Sequence, residues 1–332
     1  MKIGLVGAGR IGAQHAATLS GLAEVDDVVI TDADAGQARV VADKVGASAV
    51  ETVEDLIAAR PDGVVIAAPT GAHAELIRTF AAAGIPIFCE KPIALDVQGT
   101  RDVLAAVAES GARLHVGFQR RFDAGIAAVR DAIAAGELGF VHTLRSCTSD
   151  PTPPPAAYIK TSGGIFRDCA VHDYDAVRWV TGREVVEVYA TGANQGDEFF
   201  TEYGDVDTAV ATLTLDDGTL AICTATRYNG GGYDVRLEAH GSLKAVAAGI
   251  NERSPIVALD GPELVGVNPY TGFGDRFREA YAAELVAFTE FVAGRRDNPC
   301  SGEEALEALL VAEAAELSRA ERRPVRIEEV RA

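Results

Sequence analysis

Apolar runs of strand length alternate with helix-spaced segments through residues 1–120. The runs read KIGLV, DVVIT, GVVIAA, PIFCE and RLHVGF, short and nearly continuous in apolar side chains, as strands covered on both faces are. Between them, Ala72 to Ala83 and Asp96 to Ser110 carry apolar residues at three- and four-residue intervals, which predicts helices packed on a sheet. Gly84 and Gly111 stand where helix C-terminal glycines belong. The alternation predicts an α/β domain built on a doubly wound parallel sheet.

After Phe118 the pattern changes. From about Gly139 the runs FVHTLRSCT, EVVEVYATG, VDTAVATLTL, TLAICTATRY, YDVRLEAHG and SLKAVAAG follow one another, several joined by turn signals such as Asp217-Gly218 and His240-Gly241-Ser242. Such runs predict a mostly antiparallel sheet, hence a second α/β domain spanning 121–332, and two Ala/Glu-rich helical segments, about Gly274 to Ala293 and Gly302 to Ala320, close the chain. The proline-rich stretch Asp150 to Tyr158 reads as a loop. At 332 residues the chain exceeds what a single core usually supports, which agrees with two domains.

Composition narrows the function. With 48% hydrophobic and 24% charged residues the chain is of ordinary globular type, and no apolar run reaches the ~18 residues of a membrane span. The N-terminal MKIGLVGAG lacks the layout of a signal peptide, so the expectation is a cytoplasmic protein. Cys89, Cys147, Cys169, Cys223 and Cys300 are odd in number, scattered and without a CxxC pair, which argues against a disulfide framework and against zinc; the expectation is reduced, mostly buried thiols. A net charge of −19 disfavours a nucleic-acid partner, because phosphate contacts need a basic face.

The chemistry begins at GAGRIG, residues 7–12, directly after the first strand. Gly7, Gly9 and Gly12 form G-x-G-x-x-G, which permits a tight turn, lets backbone N–H groups approach a pyrophosphate, and packs a helix closely on the strand. Asp32 follows DVVIT, 20 positions after Gly12, where its carboxylate can accept hydrogen bonds from an adenosine ribose. That carboxylate repels a 2′-phosphate, so NAD is expected over NADP, with Arg10 as the residue that leaves NADP open. The cofactor set is completed by Ile11, by Ala68, Pro69, Thr70 and His73 at the end of the fourth strand, by Glu90 and Lys91 at the end of the next, and by Gln119. Thr70 reads equally as a helix cap, and His73 as a solvated helix histidine.

In CEKPIA, Lys91 beside a nicotinamide could hydrogen-bond a substrate oxygen, or could simply pair with Glu90. In GGIFRDCAVHDYD, Asp168 and His172 lie four residues apart, and a helix would put them on one face with Ile165, Cys169, Val177 and Val180 on the other. An Asp/His pair at this spacing can bind metal, but no third ligand is suitably spaced. Histidine is the natural group to take a hydroxyl proton near neutral pH, with the carboxylate steadying it or binding a second hydroxyl.

Taken in order, GAGRIG, EKP, GFQRRFD and GGIFRDCAVHDYD resemble the Gfo/Idh/MocA oxidoreductase family, and the last segment most resembles its inositol 2-dehydrogenase branch. The resemblance covers nearly the whole chain. It implies a Rossmann domain followed by an α/β domain whose open sheet serves oligomerisation, often into tetramers. It implies Lys91 and His172 as a catalytic pair, with Asp168 binding substrate and orienting the histidine. It places Arg121, Asp150, Tyr228 and Tyr233 among the polyol contacts, although Arg121 can equally pair with Asp123 or another carboxylate. The implied reaction is NAD-dependent oxidation of a cyclic polyol, myo-inositol to an inosose. Oxidation of an aldose or another inositol isomer, an NAD-recycling hydrolase or isomerase, and a nucleotide sensor are the alternatives.

Overall fold

The structure is a computed structural model that describes residues 1–256, 259–260 and 268–331. The chain divides into two compact units, residues 1–119 with 279–306, and residues 120–278 with 307–332. A boundary drawn near 120 thus separates the two sheets, while residues 279–306 return to the first unit.

The first unit contains β1 (Lys2–Val6), β2 (Asp27–Thr31), β3 (Ser48–Ala49), β4 (Gly63–Ile66), β5 (Ile87–Glu90) and β6 (Leu114–Gly117). All pair in parallel, in the order β3-β2-β1-β4-β5-β6. Helices α1 (Arg10–Gly21), α2 (Ala35–Val45), α3 (Val53–Ala58), α4 (Thr70–Ala82) and α5 (Val97–Ser110) connect them. The capping is local: Asp96 accepts from Gly99 N–H to start α5, and Gly111 ends it in the left-handed region. Strand order reverses between β1 and β4, the topological switch point at which such sheets bind ligands beyond their carboxyl ends. Ile3, Leu5, Ile30, Val65 and Phe88 fill the core, and the helix Arg278–Val292 adds Leu285, Phe288 and Phe291. Phe88 and Phe288 meet edge to face at 5.7 Å.

The second unit contains β7 (Val141–Ser149), β8 (Val185–Ala193), β9 (Thr208–Leu215), β10 (Leu220–Thr226), β11 (Asp234–Gly241), β12 (Ala245–Ala248) and β13 (Val325–Arg326), in the order β12-β11-β7-β10-β9-β8-β13. The sheet is antiparallel except at β7 and β10, which run parallel with Ser149 beside Thr226. The Asp217-Gly218 signal is the β9–β10 hairpin, with Gly218 at φ +87° and its N–H on Leu215 O. Along β9 the side chains alternate, Ala209, Ala211, Leu213 and Leu215 buried while Val210 and Thr212 are exposed, so one face lies on the core and the other is open. Helices α6 (Ala124–Ala134), α7 (Ala156–Ile159) and α8 (Val171–Thr181) belong to this unit, and a five-residue π-helix, Phe166–Ala170, leads into α8.

Among the described residues no helix is long and apolar enough to cross a membrane, and no group of His, Cys, Asp and Glu is arranged to hold a metal ion. Four of the five thiols are buried and Cys147 is half-buried, with no disulfide.

Candidate active site

The first unit presents a nucleotide cradle made of backbone. Gly7 sits at φ +101°, and a Cβ there would meet the Ala67 backbone at 2.6 Å. A Cβ on Gly12 would meet Gly7 O at 1.9 Å, so helix and turn can close only on glycine. Gly9 differs: a Cβ there would meet nothing within 4 Å, which marks open space over the start of α1. No side chain caps α1, so its first amides are not taken by a cap and face that space with the positive end of the helix dipole. Asp32 is fixed at the end of β2, where it accepts from Ala8 N–H at 2.6 Å and from Asp34 N–H at 2.8 Å. The turn and the carboxylate fit a dinucleotide.

The neighbouring strand ends are tied together. His73 is buried rather than solvated, with Nδ1 2.7 Å from Pro92 O and Nε2 2.8 Å from Ala68 O. Its ring lies between two backbone carbonyls and links the loop after β4 to the one after β5. Thr70 does not cap α4: it is the first helical residue, Pro69 is the N-cap, and no side-chain cap bond forms. Glu90 takes a partner that the sequence did not suggest, the buried His15 of α1, with Nε2 to Oε1 at 2.6 Å. Lys91, half-buried, follows at the end of β5 and is joined to Pro92 by a cis peptide bond. Gln119 is buried at the start of a short 3-10 turn, Gln119–Phe122.

The second unit presents a polar cluster around the π-helix. Asp168 accepts from Tyr158 Oη–H at 2.8 Å on Oδ1 and from Arg227 Nη2 at 2.7 Å on Oδ2. Arg227 Nη1 donates to Asp150 Oδ2 at 2.9 Å. Burial works against the Arg227 charge, but Asp168 and Asp150 reverse the effect and hold the guanidinium pKa above its ordinary value. His172 follows Asp168 by four residues at the start of α8 and is half-buried. The run from Asp168 to His172 is π-helical at first, where the sequence spacing suggested an ordinary helix. Ile165, Cys169, Val177 and Val180 are buried as that spacing requires.

Polar residues of this helix are buried as well. Asp173 accepts from Arg120 Nη1 at 2.8 Å, Ser146 Oγ at 2.5 Å and Thr148 Oγ1 at 2.7 Å, all buried. Arg121, expected on substrate or on Asp123 or another carboxylate, makes a two-pronged pair with buried Asp175, Nε to Oδ2 at 3.0 Å and Nη2 to Oδ1 at 2.6 Å. Asp123 instead caps α6 and takes Arg276 at 2.6 Å. The consecutive arginines of QRRF and the alternating aspartates of HDYD were the available signal for these pairs. Tyr228 is exposed and donates to Asp197 Oδ2 at 2.5 Å. Tyr233 is buried, and that burial pushes its phenol pKa up, so it stays protonated.

Residues 1–118 match the family described as "Oxidoreductase family, NAD-binding Rossmann fold", and residues 126–247 match the "GFO/IDH/MocA C-terminal domain". The chain belongs to the Gfo/Idh/MocA oxidoreductase family. Its first unit is the NAD-binding Rossmann domain of that family. The chain is 41% identical over 328 residues to an inositol 2-dehydrogenase of Rhizobium meliloti, covering 98% of this chain and 99% of that one. It is 35% identical over 335 residues to a myo-inositol 2-dehydrogenase of Thermotoga maritima, covering 99% of both. A solved structure of scyllo-inositol dehydrogenase from Lactobacillus casei, with bound NAD(H) and scyllo-inositol, superposes at a TM-score of 0.89 with 28% identity and 99% coverage of each chain.

Proposed function

We propose that this oxidoreductase oxidises one hydroxyl of a cyclic polyol, myo-inositol to the 2-keto product, with NAD as acceptor. The observation that carries the reading is the end-to-end match with relatives named as inositol 2-dehydrogenases, in a chain whose sequence has Lys91, Asp168 and His172. NAD, when bound, accepts a hydride at C4 of its nicotinamide. The residues supply the rest. His172 takes the hydroxyl proton, and Lys91 donates a hydrogen bond to the same oxygen and stabilises the charge that develops there as the carbonyl forms. Asp168 and Asp150 accept hydrogen bonds from neighbouring hydroxyls and fix the ring, which converts binding into orientation. Asp32 selects NAD over NADP by like-charge repulsion of a 2′-phosphate.

The open face of the second sheet supports a homo-oligomer, a tetramer in this reading. Tyr189, Val210, Leu220 and Ile222 are all exposed, and the register sets Tyr189 beside Thr212 and Thr212 beside Ile222 on one face. Light scattering of the purified protein tests this directly.

The activity test follows NADH absorbance with NAD and a panel of myo-inositol, scyllo-inositol, D-chiro-inositol, glucose and xylose, repeated with NADP. Rapid NADH formation with an inositol is expected. Activity confined to glucose or xylose would replace the substrate class, and no turnover of any panel member would remove the dehydrogenase reading.

A further inference from the structure

We propose that Arg227 is a positioning residue of the substrate half-site, holding Asp150 and Asp168 aligned and ionised as a pair of acceptors for two hydroxyls of one ring. The proposal rests on the reading of these carboxylates as polyol ligands.

Its basis is the parallel pairing of β7 with β10. Because Ser149 lies beside Thr226, the next residue of each strand leaves the sheet at the same place, and Asp150 N–H donates to Thr226 O at 2.9 Å. Arg227 N–H is fixed in turn on Asp207 O at 2.8 Å. The guanidinium therefore emerges from rigid backbone, and its planar fork serves two acceptors, Asp150 at 2.9 Å and Asp168 at 2.7 Å. A lysine ammonium is a point charge on a flexible stem and cannot reproduce that geometry. Two carboxylates brought to one place repel, and without the cation at least one would hold its proton to higher pH. A protonated carboxyl becomes partly a donor, whereas an ionised one only accepts, which is what a ring of hydroxyl donors requires.

Exposure separates this arrangement from a purely structural ion pair. The Arg120–Asp173 and Arg121–Asp175 pairs are buried on both sides. Arg227 is 4% exposed, while Asp150 keeps 20% and Asp168 keeps 12%, so a buried cation backs two carboxylates that both reach the surface. Titratable groups in this neighbourhood include Tyr158 from α7, Cys169 in the π-helix, His172 one turn on, Asp173 beside it, Asp205 and Asp207 before β9 and Tyr233 before β11. Burial pushes the Cys169 thiol and the Tyr233 phenol up, so neither adds charge at neutral pH.

The full-length enzyme is compared with its Arg227→Met and Arg227→Lys variants by two readouts. The first is NADH formation from myo-inositol across pH, with NAD affinity measured alongside. The second is carbon-13 NMR of aspartate carboxyls, with the two signals assigned by Asp150→Asn and Asp168→Asn, which needs no turnover. For R227M the expected result is a kcat/KM lower by on the order of 100-fold, as misplaced substrate contacts produce. NAD affinity stays unchanged, the acid limb of the pH profile moves to higher pH, and at least one carboxyl signal titrates at higher pH. R227K recovers part of the activity and displaces the signals less. If R227M does not fold, R227K alone decides, since its single ammonium must still leave one carboxyl titrating higher than in wild type. Carboxyl signals that titrate as in wild type overturn the proposal, and so does an unmoved acid limb with kcat/KM and melting temperature falling together. A wild-type enzyme that turns over no polyol removes the functional reading instead, and the NMR still decides the role of Arg227.

Discussion

At the scale of single residues the reaction depends on groups whose type was readable but whose partners were not. Lys91→Ala or His172→Ala is expected to lower kcat with myo-inositol by ~10²–10⁴-fold, the usual contribution of an acid–base group, with NAD affinity unchanged by calorimetry. Asp32→Ala should raise the ratio of NADP to NAD in kcat/KM, since it removes the charge that opposes the 2′-phosphate. A ratio that stays put would move cofactor selection to Arg10. The glycines of GAGRIG were legible because steric demand is written into the residue itself: only glycine fits where a Cβ would strike Ala67 or Gly7. Thr70, His73, Arg121 and Tyr228 were less legible, because a polar side chain has several adequate partners and chain order does not choose among them. Arg227 was visible only as the letter before Tyr228, and its two carboxylates lie 59 and 77 positions away in sequence.

At the scale of elements, most strands and helices follow their local patterns, although Ala156–Ile159 forms a short helix where the proline-rich stretch reads as a loop. KIGLV and DVVIT are β1 and β2 without a residue to spare, because apolar runs, turn glycines and caps act over a few neighbours. The helix that carries Asp168 and His172 is the exception in kind. It opens as a π-helix and buries Asp173 and Asp175 against Arg120 and Arg121, so its polar positions are interior. Asp173→Ala leaves the Arg120 guanidinium buried without its carboxylate and is expected to cost ~3–5 kcal/mol in stability by denaturant unfolding. A loss within the ordinary surface range of about 0.5 kcal/mol would show that Thr148 alone satisfies the arginine.

At the scale of the whole molecule, buried carboxylates tie stability to pH. Burial pushes the Asp205 carboxyl above its ordinary value, partly offset by N–H groups of Ile165 and Val206. A carboxyl raised on folding contributes stability fully present below its unfolded pKa and lost as pH rises through the folded one. In the window from the ordinary carboxylate range up to that raised value, wild type should therefore gain stability over Asp205→Asn as pH falls from neutral. Urea midpoints at neutral and mildly acidic pH measure the difference, and one that is constant or shrinks on acidification rules this out.

The two classes of sheet and the steric demand of the nucleotide turn were already set in the sequence, because these depend on periodicity and residue size within short windows. Only the tertiary structure decided that β7 pairs in parallel with β10, that residues 279–306 return to the first unit, and that Arg227 reaches Asp150 and Asp168 together. Such pairings are chosen by packing and by the burial of charge among segments far apart in the chain, and a local pattern carries no record of which distant partner wins.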